Sequence, residues 1–412
     1  MAKNKQEEMI VALDIGTSKV VTIVGEINAD NEIEVIGIGT HRSSGLKKGV
    51  VINIESTVES IKRSIQEAEL MADCEVFSVY AGIAGNHIKS FNSHGMAAIR
   101  DKHEVTEADV NDAREAAKAM PLPENQKLLH ALEQEFIIDQ QEGIRKPIGM
   151  AGVRLETKVH LVTAAESAMT NIKKCILQSG LEIDGIILEQ LASSYAVLTE
   201  DEKELGVCMV DIGGGTADIA VYTEGAIQHT AVIPIAGDQV TNDIAKLMHT
   251  PTKHAEEIKI KYGCAKLNMT GDDESLEIVK LDESGTQTMS RQNLVAIIEP
   301  RYEEIFEFVR DELEAKNYLD TLGAGVVLTG GSSKLEGVAD LAEEVFALPA
   351  RIGRPHKVKG LSEAVSNPMH ATGVGLLMFG HEERLKGNLA GSDRSKTGSG
   401  VFNKLKGIIN KF

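Results

Sequence analysis

The sequence predicts an α/β fold of two duplicated halves that face each other across a common cleft. Three observations carry this expectation. The stretch MIVALDIGTSKVVTIVGE (9–26) is echoed by GVCMVDIGGGTADIAVYTEG (206–225), each an apolar strand, an Asp-Ile-Gly turn and a second apolar strand. Apolar runs rich in β-branched residues alternate with stretches of helical periodicity along the chain. At 412 residues, 42% hydrophobic and 25% charged, the chain is too long for one compact core.

The elements follow in order. Residues 10–13 and 207–210 run into glycine turns and read as buried strands paired as hairpins. Helical periodicity marks 56–71, 106–120, 167–179 and 294–316. Residues 84–162 carry helix and strand signals but no phosphate turn, and read as an insertion into the first half. Residues 243–300, which bear Gly271 to Glu274, read as an insertion into the second. From Lys386 to Gly400 the composition (KGNLAGSDRSKTGSG) predicts a flexible linker.

Charge and composition exclude several functions. With 62 acidic and 43 basic side chains the formal charge is −19, which disfavours general nucleic-acid binding, because phosphate neutralisation needs a basic face. Cys74, Cys175, Cys208 and Cys264 are scattered and form no Cys-x-x-Cys clamp; buried thiols in a reducing compartment are expected. His87, His94 and His103 lack the i, i+4 spacing of a zinc helix and read as ordinary surface or core histidines. The amino terminus, MAKNKQEEM, is charged and the apolar run after it is broken by Asp14, so no signal peptide is expected and the protein is expected in the cytoplasm. No stretch approaches the roughly 20 apolar residues needed to cross a bilayer.

A triphosphate site needs backbone amides that approach anionic oxygens closely, which glycine permits, and a carboxylate that can hold hydrated magnesium. Asp211, Gly213, Gly214, Gly215 and Thr216 supply both. In the first hairpin, Asp14, Gly16, Thr17, Ser18 and Lys19 offer a turn, two hydroxyls and an ammonium from the opposite side. A third element, Val326 to Leu335, is a strand opening onto Gly330, Gly331 and Ser332, a turn able to lie flat against a base or ribose. Glu256 and Lys259, at i and i+3 of a helix begun by Thr250-Pro251, either clasp ribose hydroxyls or form a solvated ion pair.

The order DIGTSKV, DIGGGTADIAV, VVLTGGSSKLEGV resembles the phosphate 1, phosphate 2 and adenosine motifs of the actin, heat-shock chaperone and sugar kinase superfamily. The resemblance implies an actin-like ATPase fold around a nucleotide cleft, with ATP and Mg2+ as ligands. It places Asp211 and Asp14 on the magnesium side, acting through water, and Glu189 and Asp211 in any catalysis. Many superfamily members carry Glu-Pro where this chain reads Leu188-Glu189-Gln190-Leu191, so the Glu is present and the Pro is not.

ELMADC (69–74), KVHLVTA (158–164), LASSYAVLTEDEKELGVC (191–208), VIPIAGDQVTNDIA (232–245) and IEPRYEE (298–304) are similar to the FtsA family of bacterial cell-division proteins. That likeness implies subdomain IA from 1–83, 163–204 and 357–385, an inserted IC from 84–162, IIA from 205–242 and 301–356, and IIB from 243–300. It adds Gly237 to the ATP-binding set. It also implies filaments of the protein itself, an FtsZ C-terminal peptide received around Arg291, Asn293 and Arg301, and contacts from IC to FtsN or neighbouring protomers. ATP hydrolysis is expected to be slow at most. A small-molecule kinase of the same fold would need an acceptor pocket with its own carboxylate, and no motif assigns one. An MreB-like shape-determining filament lacks the IC placement.

After the expected linker at 386–399, residues 400–412 read as an amphipathic helix. On a helical projection Val401, Phe402, Leu405, Ile408, Ile409 and Phe412 share a sector of roughly 120°. Lys404, Lys406 and Lys411 lie outside it, and no acid interrupts the last twelve residues. A helix of about 18 Å is too short to span a bilayer but suited to lie in its interface. The acidic body would be repelled from an anionic leaflet while the tail is drawn to it; the FtsA resemblance implies a peripheral position on the cytoplasmic side of the inner membrane at the division site. One tail binds weakly; a filament's tails bind as a group.

Overall fold

The structure is a computed structural model that describes residues 9–271, 274–282 and 284–397. Its first half is organised by a hairpin, Met9–Ile15 against Lys19–Ile27, extended antiparallel by Ile33–Arg42. Valine and isoleucine fill both faces because the sheet is covered on both sides. The chain then crosses over through the Ile54–Ala72 helix to Ser78–Ile83, parallel to the first strand, and later to Glu182–Leu188. The helix is N-capped by the Asn53 side chain, 3.0 Å from the Ser56 amide. It buries Thr57, Ser60, Ile61, Ser64, Ile65 and Ala68, the spacing that a 3.6-residue repeat places on one face.

The second half repeats the plan. Val207–Ile212, Ala217–Thr223 and Ala226–Ile233 form an antiparallel meander, followed by parallel Val326–Thr329 and Ala350–Ile352. Between the two sheets lie the Glu189–Val197 and Ala371–Thr397 helices, with Leu191, Ala192, Ala196, Val374 and Leu377 packed against both hairpins. The helices cross so closely that a Cβ on Gly375 would sit 1.8 Å from the Ala192 carbonyl oxygen, so the small-residue composition of these segments sets their separation.

The first insertion is a four-stranded sheet, Ile88–Ala98, Arg154–Ala165, Gln126–Ile138 and Gln141–Ile144, covered by the Glu107–Lys118 helix. It has its own core of Ile99, Val105, Val110, Phe136, Ile138 and Leu155. Although inserted into the first half, it meets the edge strand of the second. Ser90 Oγ donates to the Thr230 carbonyl at 2.8 Å and Gln134 Nε2 to that of Ile227 at 2.9 Å, covering backbone that an edge strand leaves unpaired. The second insertion joins the Gly237–Leu247 and Thr252–Tyr262 helices to a hairpin, Ser275–Val279 with Thr286–Ser290, and leads into the long Arg291–Ala315 helix.

One expectation is corrected. The final helix runs through Thr397, so 386–397 is helical where an irregular linker was expected. Its first turns are seated on the first-half sheet and on the Glu189–Val197 helix, and extending a nucleated helix adds a hydrogen bond for each residue fixed; no proline in 386–397 interrupts it. The amphipathic segment 401–412, with Val401, Phe402, Lys404, Leu405, Lys406, Ile408, Ile409, Lys411 and Phe412, lies outside the described residues. Cys175, Cys208 and Cys264 are buried thiols. His94 pairs with Glu156 at 2.8 Å, and no described residues form a metal-ligand cluster. No helix among the described residues is long and apolar enough to cross a membrane.

Candidate functional site

The two Asp-Ile-Gly turns close identically. The Gly16 amide donates to the Lys19 carbonyl at 3.0 Å, and the Gly213 amide to that of Thr216 at 3.0 Å. Both turns open into one cavity of about 450 Å³ between the halves. Asp14, Gly16, Thr17, Ser18 and Lys19 form one wall; Asp211, Gly213, Gly214, Gly215 and Thr216 form the facing one. Glu189, Glu256, Lys259, Gly330, Gly331 and Ser332 complete the lining. Gly237 stands just behind: its amide donates to the Gly213 carbonyl at 3.2 Å and its carbonyl accepts from Lys259 Nζ at 3.2 Å.

The third glycine turn packs directly on the second aspartate. Gly330 has φ +86°, and a Cβ there would lie 2.3 Å from Asp211 Oδ1, so a side chain is excluded by conformation and by space. Glu256 and Lys259 form an ion pair whose lysine is buried and whose glutamate is partly exposed. Lys259 is buried, 2.6 Å from the Glu256 carboxylate, and also donates to Thr241 Oγ1 at 2.9 Å.

Of the acids lining the cleft, Asp14, Glu189, Asp211 and Asp218 act on one another, and the Lys19 ammonium faces Asp14 and Asp211. Burial raises Asp14 to about 7; Lys19 opposes the shift and Asp211 adds to it. Burial, with the neighbouring Asp211 and Asp14, raises Asp218 to about 8. Glu189 is held well above the ordinary carboxyl range by burial and then by Asp14, Asp218 and Asp211. Asp211 is raised by burial, opposed by hydrogen bonds from Ser193 Oγ at 2.6 Å and Thr372 Oγ1 at 3.3 Å. Lys19 is lowered to about 8, again chiefly by burial, and donates to the Met369 carbonyl at 3.0 Å.

Such a concentration of buried acids favours the approach of a cation. The donors are hard oxygens, which suit magnesium rather than zinc. No three of them converge as a direct ligand set among the described residues, so the arrangement fits a hydrated ion held through its water. The buried Asp218 Oδ1 has no protein hydrogen-bond partner, which leaves an acceptor for such a water.

Sequence reasoning passed over Asp218, Asp238, Lys334 and Thr372, which also line the cavity, and Ser193. Asp218 had a signal: it is an acid in an apolar strand, directly opposite Asp211 in the hairpin register. Ser193 and Thr372 had none, because they reach the site from the two helices between the sheets. Arg291, Asn293 and Arg301 lie on the long helix and do not line the cleft. Arg291 is paired with Glu274 at 2.8 Å and Glu336 at 2.5 Å, Arg301 with Asp243 at 2.6 Å, and Asn293 is exposed.

Known proteins resemble this chain in sequence and in fold. A family model described as "Cell division protein FtsA" matches residues 208–375, and one described as "SHS2 domain inserted in FTSA" matches residues 85–163. The cell division protein FtsA of Pseudomonas aeruginosa is 58% identical over 387 residues, 94% of this chain and 93% of that relative. The chain belongs to the FtsA family of cell division proteins. The inserted SHS2 domain is present in this chain. Solved structures share this family member's fold at low identity. One is a "PilM-PilN type IV pilus biogenesis complex" (TM-score 0.65, 17% identity, 90% of this chain and 98% of that one). Another is MreB5 of Spiroplasma citri bound to ADP (TM-score 0.54, 16% identity, 93% and 98%). The architecture is therefore the actin-like α/β ATPase fold carrying an SHS2 insertion.

Proposed function

We propose that this FtsA-family chain binds ATP with Mg2+ in the cleft, assembles into filaments and tethers FtsZ to the cytoplasmic face of the inner membrane at the division site. The observation that carries the nucleotide part is the convergence of both aspartate turns and the Gly330 turn on one cavity, in a fold shared with an ADP-bound MreB5. The bare amides of Gly213 to Gly215 and the hydroxyls of Thr17 and Ser18 would bind phosphates from opposite sides. Glu256 and Lys259 would hold the ribose, and the Gly330–Ser332 turn would lie along the nucleoside. Magnesium, when bound, supplies positive charge that offsets the phosphates and the acidic pocket, with Asp211 and Asp14 holding its water.

In this reading Glu189, which lines the cavity, would accept a proton from an attacking water. Burial, and then Asp14, Asp218 and Asp211, raise the affinity of its carboxyl for a proton in the ligand-free cleft, which opposes its action as a base and accords with slow hydrolysis. The FtsZ peptide would be received near Asn293, with Arg291 and Arg301 exchanging their internal carboxylates for those of the peptide, and FtsN or a neighbouring protomer would meet the SHS2 insertion. Co-sedimentation of FtsZ with liposomes tests the tether. FtsZ is expected to pellet with the full chain and not after deletion of residues 401–412; recruitment that survives the deletion sinks the reading.

A further inference from the structure

The two phosphate turns are joined by a contact that neither needs for its own fold. Ser18 Oγ, on the first-half turn, donates to Asp238 Oδ1 of the second half at 3.2 Å. The Asp238 amide donates to the Gly214 carbonyl at 2.8 Å, which fixes its carboxylate beside the second turn. A Cβ built on Gly214 would lie 1.8 Å from Ser18 Oγ and 3.0 Å from Asp238 Oδ1. The space that glycine keeps clear above its α-carbon is thus filled by a hydroxyl and a carboxylate. That is the space through which a ligand oxygen would reach the turn's backbone.

A serine hydroxyl has one proton. Donated to Asp238, it is withheld from a phosphate oxygen, and the carboxylate repels an anion brought to the same place. We propose that the Ser18–Asp238 contact is an internal clasp that stands in for phosphate in the ligand-free cleft, and that Asp238 is a positioning residue that lowers affinity for the phosphates of a nucleoside polyphosphate. The clasp holds the halves together without ligand and must open for a phosphate to engage both turns. The inference rests on the nucleotide reading above, since it names what that ligand displaces.

The test is equilibrium binding of ATP and of adenosine, each with magnesium, to the full-length chain and to Asp238→Asn and Asp238→Ala. Asn preserves size and can still accept from Ser18 while removing the charge. ATP binding is expected to tighten by about threefold to tenfold in Asp238→Asn and by at least as much in Asp238→Ala, with adenosine affinity unchanged. A purely structural role for Asp238 would shift both ligands together. Weaker or unchanged ATP binding in Asp238→Asn, or equal tightening for adenosine, overturns the inference. If the wild-type chain itself binds no ATP, the nucleotide reading falls and the inference with it. Wild-type binding with any of the contrary variant results overturns the inference alone. Hydrogen exchange without ligand gives a second readout if Asp238→Ala folds poorly: Ser18→Ala should speed exchange at both turns, and unchanged exchange there refutes a clasp.

Discussion

The first and second hairpin turns share a backbone and differ in what neutralises their aspartates. Asp14 is opposed by Lys19, contributed by its own hairpin. Asp211 is held first by hydroxyls from the two helices between the sheets and only then by Lys19, and a second acid, Asp218, stands opposite it. Duplication therefore preserved a scaffold while its chemistry diverged. One turn brings positive charge and hydroxyls, and the other brings bare backbone and surplus carboxylate. A ligand that is anionic at one end and accompanied by a cation fits the asymmetry better than a symmetric pair of turns would.

The largest expected break in this comparison is Asp211→Ala. Magnesium-dependent ATP binding should fall by at least about 100-fold, because the hydrated cation loses its central carboxylate; an unchanged affinity by calorimetry would refute the site assignment. Gly330→Ala comes next, since it strikes the second turn through the element stacked on it. Its Cβ would meet Asp211 Oδ1 at 2.3 Å from a left-handed backbone, and urea unfolding should show a loss of about 1–3 kcal/mol.

pH dependence sharpens the contrast further. Burial pushes Asp14 up to about 7 and Asp218 up to about 8 in the fold, well above the ordinary aspartate value. The folded chain thus holds protons that the unfolded chain has released. Their contribution to the ligand-free protein is fully favourable below about pH 4 and is lost as pH rises, up to about 7 for Asp14 and about 8 for Asp218. Asp218→Asn should therefore flatten the melting temperature between pH 7 and 8, where Asp14→Asn leaves a slope; equal slopes in both variants would contradict the separate environments. The smallest effect compares equivalent glycines. A Cβ at Gly16 meets the Lys19 carbonyl at 2.9 Å, whereas at Gly213 the Thr216 carbonyl lies at 3.3 Å. Gly16→Ala should cost about 1 kcal/mol and Gly213→Ala less, measured by thermal unfolding.

Much of this was legible in the chain. Alternation of β-branched runs with glycine turns located both hairpins, and the apolar spacing along 56–71 located a helix that also carries an asparagine cap. The helical stretch 386–397 was not legible, because its composition suits a linker while its helicity continues from a buried stem. Nor was Asp238, a single acid at the start of a helix whose role depends on a serine in the other half.

The sequence by itself determined the two turns, their aspartates, the third glycine element and the two insertions. All of these follow from local patterns of burial and backbone hydrogen bonding. Only the tertiary structure decided that the acids share one low-dielectric cleft, that Lys259 is buried against Glu256, and that Ser18 reaches across to Asp238. The physical reason is range. Secondary structure depends on neighbours a few residues away, whereas electrostatic coupling depends on distance in space between residues hundreds of positions apart.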